Sequence, residues 1–263
     1  MKPKFLIASL SSCSGCIGTI FTLDILSDFL ERIDLIYFPF IKDQTEIQDC
    51  DIALVEGCVS EETQIEILKE IRKHAKKVIA LGTCAAFGGI LSLSTEKKAY
   101  PISAYIEIDG FIPGCPPPSK LLGVSLIRLL ENKEIELKYT NLCLNCPLRG
   151  EAEINFINPI NYLMPEKIAT EEERAQCFLK NSILCLGPIT REGCENKCIE
   201  SGLPCEGCMG PISQNADFTA DVINFLSLIK LSKDLRKYDG IFFRFSKPKI
   251  KFKQIEEYKE VEE

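Results

Sequence analysis

The chain has 263 residues, 46% hydrophobic and 26% charged, which is a globular composition with room for one large domain or a domain with an appendage. A net charge of −7 and a pI near 5.1 exclude the basic excess expected of a nucleic-acid surface. No apolar run approaches the roughly eighteen residues of a membrane span. The short run Phe5–Ala8 leads into Ser11, Ser12, Cys13 and Gly15 where a signal peptide would continue apolar, so a first strand entering a loop is expected, and with it a cytoplasmic chain.

Taken in order, the first half alternates strands and helices. Phe5–Leu10 reads as a strand, and Ile17–Ile33 as a helix with Ile20, Phe21, Leu23, Leu26, Phe29 and Leu30 at helical spacing. Leu35–Phe40 and Ile52–Val55 are the second and third strands. Ser60 is expected to cap a helix that buries Ile65, Leu68, Ile71 and Ala75 and ends in Lys76 and Lys77. Val78–Leu81 and Ile106–Ile112 follow as strands, then a helix from about Ser119 to Glu131. Strands separated by single helices imply a parallel sheet covered on both faces, an α/β flavodoxin-like doubly wound domain over residues 1–140.

In such sheets function lies in the loops after the strands. Cys13 and Cys16 follow the first strand, Cys84 the fourth and Cys115 the fifth, each with a glycine beside it. Four thiols from three loops therefore converge on one sheet edge, assembled by the fold. Glu56, ending the third strand in Val55-Glu56-Gly57, stands beside them as a candidate proton relay or partner contact; a plain hydrogen-bonding role is the alternative.

After Asn132 the alternation stops. Residues 141–230 are expected to form a cysteine-rich, mostly irregular iron–sulfur domain, with a helix at Asp217–Lys230. Residues 231–263 form a charged tail in which Ile241–Phe245 and Ile250–Phe252 have strand character. Between Leu142 and Gly210 lie Cys143, Cys146, Cys177, Cys185, Cys194, Cys198, Cys205 and Cys208, eight of fourteen cysteines and enough for two further four-thiol sites. In a reducing compartment such thiols are metal ligands and not disulfides. Zinc would suit the CxxC pairs 143–146 and 205–208. Against zinc stand the single histidine, His74, on a charged helix face, and a four-thiol set on strand-end loops where a structural ion is surplus. A thioredoxin-like role for Cys13 and Cys16 leaves Cys84 and Cys115 unexplained. Iron–sulfur chemistry accounts for twelve thiols, with Cys50 and Cys58 left as small buried hydrophobes.

Cys13-Ser14-Gly15-Cys16, Val55-Glu56-Gly57, Gly82-Thr83-Cys84-Ala85, Gly114-Cys115-Pro116-Pro117, Cys185-Leu186-Gly187-Pro188-Ile189-Thr190 and Pro204-Cys205-Glu206-Gly207-Cys208-Met209-Gly210 together resemble the small subunit of NiFe hydrogenases, over roughly residues 4 to 215. The branch resembled is the cytoplasmic, NAD(P)-linked sulfhydrogenase-type delta subunit, with the deazaflavin-reducing gamma subunit more distant. The resemblance implies three 4Fe–4S clusters: proximal on Cys13, Cys16, Cys84 and Cys115, medial on Cys194, Cys198, Cys205 and Cys208, and distal on Cys143, Cys146, Cys177 and Cys185. It further implies a large subunit carrying the NiFe site, and a diaphorase, flavin or ferredoxin-like subunit at the far end. Cys143 stands where periplasmic uptake enzymes have a histidine, and Cys198 near where they have a proline, which implies all-cysteine sites of lower potential. A complex I-like cluster subunit and a zinc-stabilised interaction module are the alternatives; the first lacks counterparts to Cys143–Cys208.

Overall fold

The computed structural model describes residues 2–43, 46–94, 96, 98–150, 160–161 and 175–212, with Asn224, Phe225, Ile229 and Phe245. Five parallel strands, β1 (Lys4–Ser9), β2 (Asp34–Tyr37), β3 (Cys50–Glu56), β4 (Ala75–Leu81) and β5 (Gly110–Ile112), stand in the order β2-β1-β3-β4-β5. This is the flavodoxin-like order, in which the chain reverses its winding direction beside β1 and opens a crevice at the strands' carboxyl ends.

The strands read as continuous apolar runs because both faces are covered. Alternation along them sends Phe5, Ile7, Leu54, Ile79 and Leu81 to one face. There they meet α1 (Gly15–Phe21), α2 (Leu26–Arg32) and α5 (Ser119–Leu130) through Ile17, Ile20, Phe29, Leu122 and Leu126. Leu6, Ala53, Val55, Val78 and Ala80 face the other way, against Leu68 and Ile71 of α3 (Glu62–His74). The register pairs Ser9 with Glu56, Glu56 with Leu81, and Leu81 with Ile112. Four strands thus end level, and the residues that follow them open into neighbouring loops.

Local structure departs from the periodicity in four places. The single helix expected over Ile17–Ile33 is two, α1 and α2. At the break the Thr22 N–H and hydroxyl both donate to the Thr19 carbonyl, at 3.2 and 3.0 Å, and close tight turns in place of the helical ladder. Ser60 does not cap α3. Its hydroxyl is taken by Ser11 in the β1 loop, 2.6 Å away, while Gln64 reaches back to accept the Ser60 N–H at 2.9 Å. That helix ends at His74, and Ala75 to Lys77 begin β4. The fifth strand is only three residues long. Pairing starts at Gly110, four residues after the expected Ile106: the Ile106 N–H is taken by the Ile102 carbonyl (3.2 Å), and the Asp109 carboxylate takes the Val78 N–H (2.7 Å) and the Arg72 guanidinium (2.6 Å). His74, expected to be solvated, bridges Asp49 and Glu70 at 2.7 and 2.8 Å.

Beyond α5 regular structure is sparse: 3-10 turns at Leu142–Asn145 and Gly187–Ile189 and the one-turn helix α6 (Lys197–Glu200). A separate apolar cluster nevertheless forms here, with Leu142, Phe178, Leu184, Leu186 and Ile199 packed around Cys177, Cys185 and Cys205. Phe225 and Ile229 join it; both are helical, and the rest of the helix expected at Asp217–Lys230 lies outside the described residues. So do the expected strands and charged tail, apart from Phe245. Among the described residues no helix is long and apolar enough to cross a membrane.

Candidate functional site

The level strand ends gather Cys13, Cys16, Cys84 and Cys115. Ser14, at φ 61°, turns the chain after β1 so that Cys16 enters α1, and Cys84 rides on α4 (Gly82–Phe87), a helix too short to show a period in the sequence. Glycines make room for the thiols. A Cβ on Gly82 would lie 2.2 Å from the Cys16 sulfur, and one on Gly89 would lie 2.4 Å from that of Cys84. Burial pushes the Cys84 thiol up to about 12, and the charges of Cys58, Cys115, Cys13 and Glu56 add to it. Cys16 is raised further, first by burial, then by Glu56, Cys84, Cys115 and Cys13. The four sequence-predicted thiols are therefore mutual neighbours.

Glu56 stands beneath them, 1% exposed, accepting the Cys16 N–H at 3.1 Å and the Ser9 hydroxyl at 3.3 Å. Burial raises its carboxyl above the ordinary 4.5, and the hydrogen bonds from Cys16, Ser9 and Ile17 only partly offset this. With its folded pKa above the unfolded one, the contribution of Glu56 to stability is complete below pH 4.5. It is lost as pH rises through the folded value, because the unfolded chain ionises first. A difference infrared spectrum between the parent and Glu56→Gln is expected to show a protonated carboxyl band persisting above pH 4.5 and fading at higher pH. A band already gone at that pH would contradict the assignment.

A second group forms a cavity of about 370 Å³ lined by Cys194, Cys198, Cys205 and Cys208, with apolar walls from Ile199, Leu203 and Met209. Burial raises Cys208 to about 12, and Cys194 and Cys198 add to that rise. Inside the same wall the Asn196 Oδ1 is buried with no hydrogen-bond partner among the described residues. The third group joins Cys143, Cys146, Cys177 and Cys185: burial, then Cys185, Cys146 and Cys177, lift Cys143 to about 12. Gly187 leaves the gap there, since its Cβ would sit 3.1 Å from the Cys143 sulfur and 3.6 Å from that of Cys185.

The groups touch in series. Between the first and second, the Gly114 N–H donates to the Thr83 hydroxyl (3.1 Å), which donates to the Cys208 carbonyl (2.6 Å), and the Cys115 N–H bonds the Cys208 thiol. Between the second and third, the Cys205 N–H donates to the Cys185 sulfur at 3.3 Å and the Leu186 N–H to the Cys205 carbonyl at 2.8 Å. Thiols that resist ionising because they are buried, and further because other thiols surround them, suit a cationic, thiophilic group that displaces their protons. Among the described residues no three Cys, His, Asp or Glu side chains close on a position for one metal ion. The glycine cradles and the cavity fit a group larger than an ion.

Sequence reasoning missed several residues. Thr83 stands in the Gly82–Ala85 motif but was given no role of its own there, and Gly89 lies in the loop after α4 outside any motif. Cys58, read as an inert hydrophobe, is fully buried, yet it heads the charges acting on Cys84. Arg191 is buried between the rings of Phe111 and Tyr139, 5.7 and 5.4 Å from their centres, with its Nη1 on the Lys138 carbonyl.

The arrangement of a doubly wound sheet followed by a cysteine-rich segment recurs in solved hydrogenases. The NiFeSe hydrogenase of Desulfovibrio vulgaris Hildenborough has a chain that matches 82% of this one and 95% of its own length, at 20% identity and a TM-score of 0.63. Residues 13–128 match the family described as NADH ubiquinone oxidoreductase, 20 Kd subunit. A subunit of the F420-non-reducing hydrogenase vhu of Methanocaldococcus jannaschii is 34% identical, over 86% of this chain and 88% of its own. Sulfhydrogenase 2 subunit delta of Pyrococcus furiosus is 30% identical, over 81% and 88%. The fold and the relatives define a hydrogenase subunit, one of the oxidoreductases. The chain belongs to the NiFe-hydrogenase small-subunit family, whose members carry iron–sulfur clusters and pair with a large catalytic subunit.

Proposed function

We propose that this chain is the electron-transfer small subunit of a cytoplasmic NiFe hydrogenase. In this reading it holds three 4Fe–4S clusters, with the proximal, medial and distal sets of cysteines as implied by the resemblance. The observation that carries the reading is the series contact of the three thiol groups, through Cys115, Thr83 and Cys208 at one junction and Cys205 and Cys185 at the other. Residues 1–140 present the first group and residues 141–230 the other two.

When bound, the clusters take up and release single electrons. The chain's part is to hold them in order, exclude water through walls such as Ile199 and Met209, and set their potentials through N–H donors such as those of Gly187 and Cys205 on Cys185. Glu56, buried under Cys16, is placed to pass a proton between the partner's side of the sheet edge and the Ser9 and Ser12 hydroxyls, which lie 3.0 Å apart. The large subunit would cover the exposed Cys13 and Cys115 edge. A diaphorase, flavin or ferredoxin-like subunit would approach the Cys143–Cys146 turn, where Leu144 is exposed. All-cysteine sites with Cys143 and Cys198 favour a low-potential acceptor.

The complex I-like alternative draws on the match over residues 13–128 but leaves the thiols from Cys143 to Cys208 without a role. The test is iron, acid-labile sulfide and zinc per chain on anaerobically purified protein. About twelve iron and twelve sulfide are expected. About four of each would favour the complex I-like reading, and zinc with negligible iron would sink both.

A further inference from the structure

The two junctions between thiol groups are built differently. At the medial–distal junction both bonds come from the main chain: the Cys205 N–H on the Cys185 sulfur and the Leu186 N–H on the Cys205 carbonyl. Neither of these two bonds is made by a side chain, although the Thr190 hydroxyl donates to the Leu186 carbonyl beside them at 2.6 Å. At the proximal–medial junction a side chain takes part. Thr83, between Gly82 and Cys84, is 1% exposed. Its hydroxyl accepts from the Gly114 N–H, one residue before Cys115, and donates to the carbonyl of Cys208. Its own N–H donates to the Gly114 carbonyl at 3.0 Å. One residue is thus bonded to the loops carrying three ligand cysteines of two groups: its own neighbour Cys84, Cys115 beyond Gly114, and Cys208.

We infer that Thr83 is the positioning residue that sets the spacing and electronic contact between the proximal and medial clusters, its hydroxyl being the buried side-chain link between the two loops, whereas the Lys120–Glu195 ion pair spans them at the exposed surface. This rests on the three-cluster reading above. A hydroxyl is required, and a methyl of the same shape is not enough. Valine would leave the Gly114 N–H and the Cys208 carbonyl buried and unpaired, so the two loops would part or admit water. Serine would keep both bonds and lose only packing. Nothing in the role calls for Thr83 to touch iron, so cluster loading and the partner's own chemistry stand apart from it.

The test uses the whole hydrogenase complex with Thr83→Val and Thr83→Ser. Three quantities are read: iron and sulfide per chain, the magnetic interaction between reduced clusters by paramagnetic resonance, and two rates. One rate is hydrogen isotope exchange at the large subunit, which needs no electron export. The other is hydrogen-driven reduction of a dye that accepts electrons from the distal end. Thr83→Val is expected to keep its iron and its isotope exchange, to show a weakened interaction between two clusters, and to reduce dye several-fold more slowly. Thr83→Ser is expected to restore both the interaction and the rate. Parent-like dye reduction and magnetic interaction in Thr83→Val would overturn the inference. So would a serine variant as impaired as the valine one, which would assign the effect to packing. Loss of iron from Thr83→Val would overturn it in favour of a role in loading. Absence of iron from the parent would instead refute the cluster reading itself.

Discussion

Gly82→Ala is expected to strip the proximal site while leaving the sheet folded. Gly82 has φ +81°, and a Cβ there would lie 2.2 Å from the Cys16 sulfur. The left-handed conformation alone costs an L-residue about 1–2 kcal/mol. The main chain cannot retreat to relieve the contact. On one side Leu81 is paired with Glu56 and Ile112 in the sheet, and on the other the Thr83 N–H is held by Gly114. The movable atom is the Cys16 thiol itself, so the strain resolves by rotating a ligand out of its set. Iron is expected to fall from about twelve to about eight per chain, with the signal of the cluster nearest the large subunit lost. Gly18→Ala is the control. Gly18 sits inside α1 with nothing within 4 Å of its hypothetical Cβ, so alanine should be neutral or stabilising by about 0.5–1 kcal/mol. A Gly82→Ala protein with full iron and an unchanged proximal signal would refute the placement of Cys16.

Most of the sheet was legible because its central strands obey simple rules. β1, β3 and β4 are short runs buried on both faces, and turn residues or charged helices separate them. The rule that function gathers at strand ends then led directly to Cys13, Cys16, Cys84 and Cys115. What was hidden was hidden for physical reasons. The break between α1 and α2 depends on Thr22 bonding back to Thr19, which competes with a helix that the apolar spacing alone supports. The late start of β5 depends on Ile102, whose carbonyl takes the Ile106 N–H, and on Asp109, whose carboxylate takes a bond that the ladder would have used. α4 spans six residues, less than two turns, and offers no period to detect. In the second half the cysteines were legible as candidate ligands by type and number, but not their serial contact. The bonds that join the groups are main-chain N–H groups and the Thr83 hydroxyl, and Thr83 lies 125 residues from Cys208. No local pattern encodes such a pairing.

Removing the metal is expected to unfold the chain by halves. The first half has two apolar layers on a five-stranded sheet, independent of any thiol except Cys16 and Cys50, which pack at their margins. The second half is different in kind. Between Leu142 and Gly210 its regular structure among the described residues is two 3-10 turns and the four-residue α6. Helices far longer than α6, up to about 12–15 residues, are marginal alone in water. Its apolar cluster is interleaved with the proposed ligands, for Cys177, Cys185 and Cys205 lie inside it beside Phe178, Leu184 and Leu186. Burial drives two of these thiols to resist ionisation, Cys205 well above its ordinary value and Cys185 to about 11. Without a cation, buried thiols such as Cys84, Cys143, Cys185 and Cys208 therefore stay protonated and cross-link nothing. For such a segment the free energy of metal binding is the free energy of folding. Anaerobic chelation of iron, followed by hydrogen exchange read by mass spectrometry, should leave β1, β3 and β4 protected. Amides of residues 142–150 and 175–210 should open together, including the Leu186 N–H that now bonds Cys205. The link through Thr83 makes the opening cooperative up to the sheet edge, so the loops carrying Cys84 and Cys115 should lose protection next, while Glu56, held by β3 from below, should not. Protection of residues 175–212 that survives complete removal of iron would show that their apolar cluster folds unaided, and the thiols would then be guests of a finished domain and not its scaffold.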